Sequence, residues 1–73
     1  MKTQNEMVLE HLRKHGTINL NTAYIEYGVM ALHSRISDLR ERGHLIETCR
    51  HTVKNRFGKN ISAVDYKLIK EAN

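Results

Sequence analysis

Apolar residues recur at steps of three and four up to Gly43, and at every second position after it. The first regime is the signature of helices with one buried face, the second of strands. Met7, Val8, Leu9 and Leu12 predict a first helix over 4–15. Thr3 and Glu6 stand at the capping-box spacing, which satisfies two free amide donors at a helix start. Arg13, Lys14 and His15 suit the negative end of its dipole, and Gly16 suits the left-handed position beyond it. Thr17-Ile18-Asn19 has room for no more than a bridge or a one-ladder strand. A second helix is predicted over 22–27, capped by Asn19 or Asn21, with Ala23 and Tyr27 inward and Gly28 as its stop.

A third helix is predicted over 31–42. Val29, Leu32, Ile36 and Leu39 share one face, and Gly43 ends it. At ~100° per residue, Met30, Ser34, Ser37, Asp38 and Glu41 then point outward. Arg35 and Arg42 flank one side of that polar face, His33 and Arg40 the other. From Leu45 the pattern alternates. It predicts strands over 45–53 and 61–69, with Val64, Tyr66 and Leu68 on one face and Ala63, Asp65 and Lys67 on the other. Tyr66 is expected to be buried with Leu12, Leu32, Ile36 and Leu39. The segment Lys54–Asn60 carries Asn and Gly at turn positions and reads as the hairpin loop. Residues 71–73 read as a fraying end.

Helix, short strand, helix, turn, helix and basic hairpin make an α+β fold. It is the layout of a winged helix-turn-helix: three helices followed by a two-stranded β-hairpin wing, as one domain over 1–73 with its wing at about 45–69. A chain of 73 residues buries only a small core, so a monomer or a weak homodimer is expected.

Charge sharpens this reading. The net charge is +4, and its placement says more than its sum. Arg50, Lys54, Arg56 and Lys59 follow one another with no acid between them, whereas the other cations are interleaved with Glu and Asp. A polar helix face fits a major groove, where Arg and Ser can bond to base edges. A cationic loop suits phosphates. The candidate DNA contacts are therefore Ser34 and Arg35, with His33 and Ser37 beside them, and Lys54, Arg56 and Lys59 on the backbone. The expected partner is double-stranded DNA. Three tyrosines and Phe57 are the only aromatics, too few for a single-strand stacking platform.

Other chemistries find less support. His11 and His15 stand at a two-ligand spacing, and Cys49 and His51 share a strand face, but there is no second cysteine and no paired-cysteine motif. Cys49 with His51 and Asp65 lacks a pocket and a phosphate loop, so Cys49 reads as a small buried hydrophobe. No metal, no cofactor and no enzymatic activity are expected. Asp38 is expected to pair with Arg35 or Arg42 along the helix, the commoner outcome. The other reading is that it accepts from a cytosine amino group. A lone cysteine and the lack of a long apolar run fit a soluble, cytoplasmic chain with no membrane partner.

The segments Glu26-Tyr27-Gly28-Val29-Met30, Ser34-Arg35-Ile36-Ser37-Asp38-Leu39-Arg40 and Lys54-Asn55-Arg56-Phe57-Gly58-Lys59, with the Gly16-Thr17-Ile18 corner, form a recognisable set. On them the chain resembles the small winged helix-turn-helix family common among bacteriophage and prophage proteins. That resemblance implies a DNA-binding fold, a regulatory setting in transcription or recombination, and nucleoid association in a bacterial host. The stretch Met30-Ala31-Leu32-His33 departs from it, being less basic than the start of a strong base reader. Winged helices also serve as protein–protein modules, so the second reading is one that inhibits or recruits a host or phage protein.

Overall fold

The computed structural model describes residues 2–72. Its elements are α1 (Gln4–His15), β1 (Thr17–Asn19), α2 (Leu20–Tyr27), α3 (Leu32–Glu41), β2 (Leu45–Lys54) and β3 (Asn60–Lys70). The Thr3 hydroxyl opens α1 by accepting from Glu6 N–H at 3.2 Å. Only this half of the capping box forms among the described residues, and the exposed Glu6 carboxylate stays in solvent. Gly16, at φ 84°, closes α1 with its N–H on the Leu12 carbonyl at 2.8 Å.

α2 begins two residues earlier than the pattern predicts. Asn19 is the cap: its Oδ1 accepts from Thr22 N–H at 2.8 Å, and Asn21 is helical. Gly28 ends α2 in the left-handed region. α3 loses one residue at each end against expectation, because Ala31 offers no capping side chain and Arg42 is already the cap residue. Beyond it, Gly43 N–H bonds to the Arg40 carbonyl at 3.0 Å and His44 N–H to the Leu39 carbonyl at 3.2 Å. That pair of bonds is a Schellman motif, and it needs the positive φ of 99° that Gly43 supplies.

The sheet has three strands, not the two of the expected hairpin. Its order is β1-β3-β2, all antiparallel, with β3 in the centre. Thr17, Ile18 and Asn19 pair with Lys67, Tyr66 and Asp65, so the short strand closes the free edge of β3. β2 and β3 pair from Leu45↔Lys70 to Lys54↔Asn60, with a bulge between Leu45 and Ile46.

The core collects Val8 and Leu12 from α1, Ile18 from β1, Ala23 from α2, Val29 from the turn, Leu32, Ile36 and Leu39 from α3, and Ile46 from β2. No polar side chain is buried with them among the described residues. Leu9, Tyr27, Tyr66 and Leu68 close its margin, so Tyr66, expected inside, is only half-buried. The end of the chain does not fray as expected. Glu71 pairs with Arg13, and Ala72 N–H donates to His44 Nδ1 at 3.0 Å. The expectation for Asn73 lies outside the described residues.

Ile36 has no exposed surface and sits in the middle of the α3 stripe. Ile36→Ala is expected to cost ~2–5 kcal/mol, much of the stability of a domain this small. Urea unfolding of the two proteins measures it, and a near-neutral result would show that this face is not the inward one.

Candidate nucleic-acid interface

The outward side of α3 follows from its buried stripe. His33 and Ser37 are exposed, and Ser34 and Arg35 are half-buried. Arg35 is not free. Its guanidinium pairs with Asp38 at 3.3 Å, as the i, i+3 spacing predicts, and Asn5 of α1 donates to the same Asp38 oxygen at 3.3 Å. Arg35 Nε and Asn5 Oδ1 are buried with no protein partner. Two elements far apart in sequence thus meet at a polar seam in which each side chain has bonding capacity left over. Asn5 carried no signal in the sequence, since one Asn on a helix surface is ordinary.

Arg40 does something its position in the last turn did not announce. Its guanidinium donates to the Ile46 carbonyl at 2.7 and 3.0 Å and to Thr48 Oγ1 at 2.9 Å. It ties the end of α3 to the root of β2. Thr48 lies on the Ile46 face of the ribbon, and period-two alternation puts Arg50, Thr52 and Lys54 on that same face. Arg50 therefore belongs with the candidate cations, although the hairpin loop drew attention to its neighbours first. Cys49 falls on the opposite face. It is half-buried with its sulfur 3.9 Å from a Glu47 oxygen, so it is not the core residue expected of it.

Beyond Cys49 the ribbon leaves the core. From Arg50 to Ser62 every residue except Asn55 is exposed, and the molecule extends 43 Å along its long axis against 24 and 20 Å across. Its tip is nevertheless held. Gly58 N–H bonds to the Asn55 carbonyl at 3.0 Å and Asn55 N–H to the Lys59 carbonyl at 2.9 Å. Asn55 Oδ1 also accepts from Phe57 N–H at 2.9 Å and Lys59 N–H at 3.0 Å. Gly58 takes the left-handed position at φ 79°. Arg56 and Phe57 are the two central residues of this turn, so they stand outermost. Lys54, Arg56 and Lys59 are all exposed around it.

The remaining candidates fall elsewhere. His51 Nδ1 lies 3.9 Å from Asp65 Oδ2, across the ribbon. The His11 and His15 rings stand 4.4 Å apart on α1, with His11 Nδ1 2.7 Å from the Tyr27 hydroxyl. No group of three His, Cys, Asp or Glu side chains comes together among the described residues. No helix among them is long and apolar enough to cross a membrane.

Two helices joined by a glycine turn, capped by a sheet and followed by a projecting cationic ribbon, define a winged helix-turn-helix. The family model for the winged helix-turn-helix domain matches residues 3–71, and the chain belongs to that family. Comparison with the curated proteins and with the solved structures gives no match.

His11 offers a test of the α1–α2 contact. Burial, then the neighbouring His15, holds its pKa below the ordinary value of 6.5, while Glu26 pulls the other way. The unfolded chain therefore takes up this proton before the folded one does as pH falls. Stability should be full above pH 6.5 and decline as the pH drops below it. In His11→Gln, urea midpoints at pH 7.5 and pH 5, roughly one unit above and below an ordinary histidine, should differ less than in the wild type. An equal difference in both proteins would assign the acid sensitivity to other groups.

Proposed function

We propose that this chain binds double-stranded DNA as a phage-type regulator of transcription or recombination. The α3 face around Ser34 and Arg35 enters the major groove, with His33 and Ser37 alongside, and Lys54, Arg56 and Lys59 hold the backbone. The observation that carries this reading is the wing: a cationic turn free of acids, held rigid by Asn55, on a ribbon that Arg40 locks to α3. A preordered cationic tip meets phosphates without a further ordering cost. Membership of the winged helix-turn-helix family agrees with it. The phage setting, and with it a place in the cytoplasm on the bacterial nucleoid, is supported by the joint resemblance of Ser34–Arg40 and Lys54–Lys59 to phage and prophage proteins. The protein acts in this proposal as a monomer or a weak homodimer.

One observation favours the second reading, a module for a host or phage protein. Leu20, Tyr24 and Met30 are exposed around a shallow depression of about 420 Å³ that also touches Asn21. Apolar surface of this kind serves protein contacts and gains little from phosphates.

Salt separates the two readings. If Arg56 and Lys59 meet phosphates, changing both to Ala weakens binding to all duplexes about equally. It also flattens the slope of log affinity against log salt by about one for each lost contact. Arg35→Ala should instead cost ~1–3 kcal/mol on a selected site and much less on random duplex. Salt titrations on both DNAs measure all three proteins. A double wing mutant that keeps the wild-type slope would exclude the wing as a DNA contact and favour the protein partner.

A further inference from the structure

Phe57 is 81% exposed, the most exposed large apolar side chain among the described residues. It contributes nothing to the core, yet its backbone is held within the turn. Its own N–H and that of Lys59 bond to Asn55 Oδ1, and the turn closes through Gly58. A loop that merely connected two strands would need no aromatic ring at its outermost position. The ring is bracketed by Arg56 and Lys59, with Lys54 behind them. At the neck of the turn, Val53 and Ile61 form a directly opposed cross-strand pair, 38% and 46% exposed.

We propose that Phe57 is a wedge that enters the minor groove and unstacks a base step, so that this protein bends the DNA it binds. The inference rests on the DNA-binding reading above and adds an activity to it. The minor groove is bounded by two phosphate rails about 6 Å apart and floored by stacked base edges. Cations beside an apolar ring match that cross-section: Arg56 and Lys59 face the rails, and the ring faces the stack. Val53 and Ile61 offer apolar surface to the deoxyribose walls. Phe is among the side chains that can act as wedges of this kind, and such insertion kinks a duplex by ~20–90°. Arg56 and Phe57, the two central residues of the turn, lead the ribbon into the groove. The charge pattern favours DNA over an apolar protein groove, which would leave these cations without partners.

The test uses a random duplex of about 30 bp, short against a persistence length of ~150 bp, labelled at both ends for energy transfer. Wild type should shorten the end-to-end distance by an amount corresponding to ~20–90° of bend. Phe57→Ala should bind with the wild-type salt slope, having lost no phosphate contact, and leave the duplex straight. Phe57→Leu should keep most of the bend, since Leu is also a wedge residue. Because residue 57 is exposed, all three should unfold at the same denaturant midpoint, which excludes a folding defect. A Phe57→Ala protein that bends DNA like the wild type overturns the wedge. So does a wild type that binds without bending, and that result leaves the DNA-binding reading intact. A wild type that binds no duplex overturns both, and if it instead binds anionic phosphatidylserine vesicles through Phe57, the tip is a lipid anchor.

Discussion

The burial of Leu32, Ile36 and Leu39 is the constraint on which the rest of this molecule depends. A chain this small buries few large side chains, and three of the six largest fully buried ones come from α3. The helix therefore cannot rotate without exposing them, at a cost of ~1.5–3 kcal/mol each. Fixing that stripe inward fixes which residues face out. The polar seam of Arg35 and Asp38 and the exposure of His33 and Ser37 are consequences of core packing. α1 supplies most of the opposing surface through Val8 and Leu12, and Ile46 supplies it from the sheet.

The orientation of the wing follows from the same helix through two local devices. The Schellman turn at Gly43 reverses the chain, and the Arg40 guanidinium then bonds to Ile46 and Thr48 at the root of β2. A two-stranded ribbon is marginal in water by itself. Here its inner half is held by β1 on one edge and by Arg40 over its face. Its outer half relies on ladder bonds and on the Asn55 side chain. The result is a projecting arm with a rigid root and a rigid tip, which suits a surface that must present charges at fixed positions.

What could be read from the sequence was what leaves a local trace. The α3 stripe is periodic because one partner surface covers one face, and so its burial was legible. Gly16, Gly28, Gly43 and Gly58 all hold positive φ, so breaks and turns were legible too. Contacts between distant segments leave no such trace. The pairing of Thr17–Asn19 with β3, which makes β3 central, joins short stretches about fifty residues apart. Arg13 with Glu71 and Asn5 with Asp38 are of the same kind. The start of α2 was ambiguous because Asn19 and Asn21 are chemically equal caps, and only the pairing of β1 chooses between them. Cys49 went to the wrong face because in a ribbon a shift of one residue reverses inside and outside. Of the candidate site, the composition of the wing was visible, whereas the tethering of Arg35 and the ribbon-clamping role of Arg40 were not.

The tether on Arg35 has a consequence for how such a surface would divide its work. An ion pair this exposed is worth ~0–1 kcal/mol, so releasing Arg35 from Asp38 costs little. Its Nε has no protein partner, so the ion pair with Asp38 is the polar contact to be given up. Asp38 stays behind on α3, held by Asn5, and its charge opposes phosphates that approach at random. If α3 enters a groove as proposed, that carboxylate would weaken its hold on DNA in general, and the helix would gain where a base acceptor draws Arg35 away. General affinity must then come from elsewhere, and the acid-free wing is the segment with charge to supply it. In the proposed complex, an α3 face of balanced charge and an acid-free wing, joined through Arg40, would divide reading DNA from holding it.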